Sequence, residues 1–279
     1  MLTVKNLTIH INEQTLFKDF NLSLDSKSKK KIALLGKNGS GKSCLVKSIT
    51  GEFENFRGQI NIQNENISYF KQEYNFNNHQ LVGEYLEGLL EYDYEYYKIE
   101  QILETLKLNE EITLKTFSEL SEGQKIKIRL GEILLQEPSI LILDEPTNHL
   151  DQKSIDFFET FIQEFQGSIL LITHNTQLLR NCINKIYEIN NQTKSIDFYD
   201  GNFDHWWTQR THRIQSQKKD LKQLQKQKKE IQNWLKANEL IPKYRFSSYV
   251  GAQKKQLEKL NIEISNIQII KDTDLKISS

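Results

Sequence analysis

The eight residues Gly36-Lys37-Asn38-Gly39-Ser40-Gly41-Lys42-Ser43 constrain this chain more than any other stretch. They fit the pattern Gly-x-x-x-x-Gly-Lys-Ser/Thr. A short apolar run precedes them at residues 31–35, and a helical pattern follows. That strand–loop–helix setting is the context such a loop requires. Its glycines let the backbone turn tightly, so that successive N–H groups face phosphate oxygens. Lys42 then brings a point charge to the β- and γ-phosphates of a nucleotide, and Ser43 offers a hydroxyl to Mg²⁺. A chain built around this loop is α/β, with the loop joining a buried strand to a helix.

A second run supplies the complementary chemistry. Residues 140–143 are all apolar, and Asp144 and Glu145 follow at once. Such a run reads as a strand buried on both faces, with two carboxylates emerging at its end. Asp144 is placed to orient Mg²⁺, and Glu145 to polarise an attacking water as general base. Residues 169–172 form another fully apolar strand. Residues 2–11 alternate as a strand, and residues 60–62 and 67–70 also read as strands. Residues 81–108 carry apolar positions near 3.6 spacing and read as helical. Residues 120–136 read as an amphipathic helix that opens at Ser121.

Three further segments carry a family resemblance. Leu120-Ser121-Glu122-Gly123-Gln124 resembles the LSGGQ signature of ATP-binding cassettes. Asp144-Glu145-Pro146-Thr147-Asn148-His149-Leu150-Asp151 resembles the DEPTNHLD run of ABC-F proteins. His174 follows the strand at 169–172, where cassettes carry a switch histidine, and Gln72 follows the strand at 67–70, at their Q-loop position. The chain is thereby identified as a member of the ABC-F family, over about residues 2–204. The resemblance implies a P-loop cassette with a helical subdomain, the cofactors ATP and Mg²⁺, and ATP hydrolysis. It implies that Glu145, His174 and Gln72 are catalytic, and that Ser43, Gln72 and Asp144 attend the metal. Residues 36–43 with Cys44 would hold the nucleotide. Ser121, Gly123 and Gln124 would touch the nucleotide of a facing cassette, so full activity would need a second one. Two positions depart from the pattern. Glu122 stands where the signature has Gly, and Ile11, near His10 and Phe17, stands where an aromatic ring stacks on adenine.

Charge divides the chain. Residues 205–279 hold sixteen Lys and Arg against seven Asp and Glu, a surplus of nine that the rest of the chain cancels. An acidic body with a basic appendage suggests that the appendage meets a polyanion. After Trp206 come about thirty residues without Gly or Pro, with Ile214, Leu221, Leu224, Ile231 and Leu235 at helical steps, a helix about 45 Å long. A loop with Pro242 follows. A second helix from Ser248 carries Leu257, Leu260, Ile264 and Ile267. The pair reads as an antiparallel hairpin. The expected division is a cassette at 1–204 and a helical arm at 205–279. In ABC-F proteins such a hairpin links two cassettes and reaches ribosomal RNA and tRNA, and the chain resembles the first half of such a protein. The loop Lys243-Tyr244-Arg245-Phe246 alternates cations and aromatics, which suits phosphates and unpaired bases.

The longest apolar runs are strand-sized, the N-terminal segment has no signal-peptide core, and two cysteines are too few for a disulfide framework. A cytoplasmic protein without membrane insertion is expected. It would act on the ribosome as a translation factor or an antibiotic-resistance protection factor. The competing reading is the nucleotide-binding subunit of a membrane transporter, which shares the phosphate motifs but gives no reason for a basic hairpin.

Overall fold

The computed structural model describes residues 1–12, 14–71, 75–148, 150–191, 193–238 and 248–266. It divides into two compact units, the first ending at Trp206 and the second beginning at Trp207.

The first unit is α/β and is built on two sheets. Strand β1 (Leu2–Ile11) pairs antiparallel with β2 (Gln14–Leu24) and with β4 (Phe56–Ile62), giving the order β2-β1-β4. The second sheet contains β3 (Lys31–Leu35), β5 (Ile67–Phe70), β6 (Ile140–Asp144), β7 (Ser168–Ile172), β8 (Lys185–Asn190) and β9 (Ser195–Asp200). Its order is β5-β6-β7-β3-β8-β9, parallel except for the β8–β9 pair. Every residue of β3, β6 and β7 is buried. Their unbroken apolar runs have this cause: both faces are covered. One face packs against β1, β2 and α1 (Lys42–Ile49). The other packs against α5 (Gln152–Glu164) and α6 (Thr176–Cys182).

A helical subdomain lies between β5 and β6, with its own core around Leu86, Ile99, Leu103, Phe117 and Ile128. The sequence reads residues 81–108 as helical, but the structure breaks that stretch. Helix α2 (Val82–Glu87) closes at Gly88, a 3₁₀ turn covers Asp93–Glu95, and α3 (Tyr97–Thr105) starts afresh. Gly88 is a poor helix former, and the apolar spacing runs on across the break because both helices bury the same kind of face. Helix α4 (Glu122–Leu134) then begins at Ser121, where the sequence places its start.

The second unit contains most of α7 (Phe203–Asn238) and all of α8 (Ser248–Asn266). The 36 residues of α7 make a rod about 54 Å long. Leu221, Leu224, Ile231 and Leu235 form its less exposed stripe, and Val250, Leu257, Leu260 and Ile264 form that of α8. The Trp234 and Tyr249 rings meet edge to face at 5.0 Å, joining the end of α7 to the start of α8. Ile267, Pro242 and Lys243, Tyr244, Arg245 and Phe246 lie outside the described residues.

Candidate active site

The loop after β3 is shaped by its glycines. Gly41 has φ of 104°, and a Cβ there would stand 3.0 Å from Leu16 Cδ1 and 3.1 Å from Phe17 Cε1. Only glycine fits that backbone and that space. Gly41 also precedes α1 and brings no capping side chain. The first N–H groups of a helix lie outside its own hydrogen-bond ladder, so this end of α1 is suited to an anion.

Around it is a cleft of about 410 Å³. Asn38, Gly39, Gly41, Lys42, Ser43 and Cys44 line it from the loop and the start of α1. Asp144, Glu145, Asn148 and His174 also line it, as do Ile11 and Leu16. The structure thus brings together most of the phosphate loop, the two carboxylates and the histidine. Lys42 Nζ donates to the loop carbonyls of Gly36 at 2.7 Å and Lys37 at 3.1 Å. Burial lowers its proton affinity, against the pull of Glu145 and Asp144.

The carboxylates owe their places to the sheet. Asp144 is the last residue of β6, is buried, and accepts a hydrogen bond from the Tyr69 hydroxyl at 2.9 Å. Glu145 steps out of the strand with φ of 49°, an uncommon backbone for a non-glycine residue, and its N–H is held by Ile172 O at 2.8 Å. That bond ties the ends of β6 and β7 together and brings Glu145 to His174. His174 Nε2 lies 3.3 Å from Glu145 Oε1. Burial raises the Glu145 carboxyl to about 7, opposed by the His174 backbone donor and by Lys42. Burial, then the charge on Lys42, lowers His174, which favours the neutral imidazole. Burial likewise raises Asp144.

The donor set fits Mg²⁺ carried by a nucleotide. Among the described residues no group of three or more His, Cys, Asp or Glu side chains converges to hold a metal unaided. Ser43 and Asp144 line one cleft, and Mg²⁺ is usually held by one or two carboxylates plus phosphate oxygens.

Other expected residues stand elsewhere. Ser121, Gly123 and Gln124 are not among the cleft's lining residues. They open α4 with a capping box: Gln124 N donates to Ser121 Oγ at 3.2 Å, and Ser121 N to Gln124 Oε1 at 3.0 Å. The Glu122 carboxylate pairs with Lys125 at 2.9 Å. Phe17 is fully buried in the core, and His10 Nδ1 meets Thr15 Oγ1 at 3.1 Å. Leu16 and Asn148 line the cleft without having been assigned a role from sequence. Gln72 and His149 lie outside the described residues.

The family described as ABC transporter matches residues 20–148. The ATP-binding protein Uup of Buchnera aphidicola is 34% identical over 253 residues, covering 86% of this chain and 42% of the relative. ABC transporter F family member 2 of Arabidopsis thaliana is 29% identical over 193 residues, covering 68% and 28%. The chain belongs to the ABC-F family of ATP-binding cassettes. The family is one of ATP hydrolases. The ribosome protection protein VmlR of Bacillus subtilis is also similar, 29% identical over 83% of this chain and 39% of its own length. This ABC-F chain spans less than half the length of each of these relatives. Among solved structures, a dimeric ATP-binding cassette in a post-hydrolysis state with ADP and Pi superposes with a TM-score of 0.61. It is 19% identical, over 72% of this chain and 98% of its own, which shows the shared fold.

Proposed function

We propose that this chain is a Mg-ATP-driven cassette that works on the ribosome, either in translation or in protection from an antibiotic. The observation that carries the chemistry is the meeting of Lys42, Asp144, Glu145 and His174 in one cleft. Lys42 exchanges the carbonyls of Gly36 and Lys37 for phosphate oxygens, and the N–H groups of residues 36–44 cradle the remaining charge. Mg²⁺, arriving with ATP, would be held by Ser43 and Asp144, with Gln72 as a further candidate ligand, and would neutralise charge on the phosphates. Glu145 takes the proton of the attacking water. An acid near 7 can both accept and release a proton at neutral pH. Neutral His174 steadies that carboxylate and reaches toward the γ-phosphate. Ile11 and Leu16 give the adenine an apolar seat instead of a stacked ring.

Ser121, Gly123 and Gln124 serve the nucleotide of a facing cassette, supplied within one polypeptide or by a second copy. Pairing of Glu122 with Lys125 lessens the charge that this signature presents. Residues 1–204 act as the cassette and residues 205–279 as the arm. The ribosomal reading draws on the basic surplus of that arm and on the relative whose name is ribosome protection protein. It places the work in the cytoplasm. Among the described residues no helix is long and apolar enough to cross a membrane.

The test uses Glu145→Gln. The variant should bind Mg-ATP and lose hydrolysis by about 100-fold or more, the scale of a general base. It should accumulate on ribosomes in an ATP-dependent sedimentation assay. Hydrolysis at the wild-type rate overturns the role of Glu145. ATP-dependent pelleting with membranes, and not with ribosomes, overturns the ribosomal reading in favour of a transporter subunit.

A further inference from the structure

Tyr69 is a polar residue on the strand beside Asp144, and the chemistry above gives it no part. In the parallel register of β5 and β6, Tyr69 faces Ile142. Both pack into the core cluster on one side of the sheet. Asp144 is two residues beyond Ile142, about 6.6 Å along the strand, and side chains two apart stand on the same face. A phenol is long enough to cover that interval. Tyr69 Oη lies 2.9 Å from Asp144 Oδ2, in a partly buried contact between residues 75 positions apart. The ring is steadied from outside by Lys71. The Lys71 ammonium lies 5.7 Å from the ring centroid and pairs with Glu52 at 2.9 Å.

The geometry points to Tyr69 as a positioning residue that fixes the rotation of the Asp144 carboxylate, so that Oδ1 faces the metal that accompanies ATP. Rotation of a carboxylate about its last torsion is broad and costs little. A single strong donor on one oxygen removes that freedom. Towards an ionised carboxylate, the phenol acts as the donor. Phenylalanine would keep the packing of the ring and remove only the donor. The inference rests on the Mg-ATP reading of the cleft.

The experiment compares the wild-type chain with Tyr69→Phe. Binding of a non-hydrolysable ATP analogue is measured by titration calorimetry over a range of Mg²⁺ concentrations, with a metal-free point in EDTA. Thermal melts verify that the variant is folded. Loss of a partner that orients a metal ligand typically weakens metal affinity by about 10-fold or more. The half-saturating Mg²⁺ concentration should rise by about that factor, with the metal-free affinity within about twofold of wild type. A merely structural tyrosine would change the melt and leave the Mg²⁺ midpoint alone. The same substitution is then made with Asp144→Asn already in place. There it should shift the midpoint no further, because the carboxylate it orients is gone. An unchanged midpoint in Tyr69→Phe, or an equal shift in both backgrounds, overturns the assignment. Analogue binding by the wild type that is indifferent to Mg²⁺ overturns the reading of the cleft itself.

Discussion

Replacing Glu145 by Gln keeps the size of the side chain and removes a charge that the fold has largely taken out of water. The Glu145 side chain is 11% exposed, and its carboxyl is raised from 4.5 to about 7. A folded-state value above the unfolded one means that the native chain holds this proton more tightly. The resulting stabilisation is complete below about pH 4.5, fades as the pH rises towards 7, and is gone above it. Two and a half pH units correspond to about 3 kcal/mol, of which about 2–3 kcal/mol falls between pH 5 and pH 8. Glutamine has no such proton. The stability of Glu145→Gln relative to wild type should therefore improve by about 2–3 kcal/mol from pH 5 to pH 8. For a unit of this size that is about 5–10 °C in the cassette melting transition. The assay is thermal denaturation of both proteins at the two pH values, without nucleotide. An identical difference in melting temperature at both would refute the claim that a desolvated carboxylate sits at position 145.

Four other outcomes are expected. Gly41→Ala forces a side chain into φ of 104° against Leu16 and Phe17. It should lower stability by about 1–3 kcal/mol and weaken ATP binding, as read by calorimetry. Trp206→Phe removes the indole donor that reaches buried Glu188 Oε2 at 3.0 Å. It should lower cassette stability by about 1–3 kcal/mol while ATP affinity stays near wild type. The specific hydrolysis rate of the chain alone should rise with protein concentration, because the signature at residues 121–124 does not reach its own cleft; turnover by a proven monomer at a fixed specific rate would contradict this. Substituting both Lys243 and Arg245 by Glu should weaken RNA binding and flatten its salt dependence, with nucleotide affinity preserved; equal RNA affinities at two salt concentrations would leave the arm as a spacer.

The parts of the site that were legible in the sequence are those whose chemistry lies in one short run. The phosphate loop needs glycines at fixed steps, and the Asp144–Glu145 pair ends a run of four apolar residues. Tyr69 was not legible in this way. Its partner lies 75 residues away, and only the β5–β6 register brings the two together. Leu16 was hidden for a related reason. Strand β2 loses its alternation through three register shifts against β1 and through the left-handed Asp19, so its period-2 signal is blurred. Strand β9 lies at the edge of its sheet, pairs only with β8, and is mostly half-exposed, which weakens its apolar signature. The adenine-side position was legible as Ile11, which lines the cleft, while nearby Phe17 is core.

The contact between Trp234 and Tyr249 has a mechanical consequence. Leu235 and Val250, the neighbours of those two rings, are both buried, and so is Leu260 farther along α8, so close packing occurs beside the segment at 239–247 and again along the shaft. Farther along α7, Leu221, Leu224 and Ile231 are only partly covered, and Lys228 interrupts the stripe. The pair is fastened at more than one level, beside the aromatic contact and again at Leu260, with thinner lacing between. A load on such a pair is shared between those levels, and the half-covered positions between them are where the two helices have least to hold them in register.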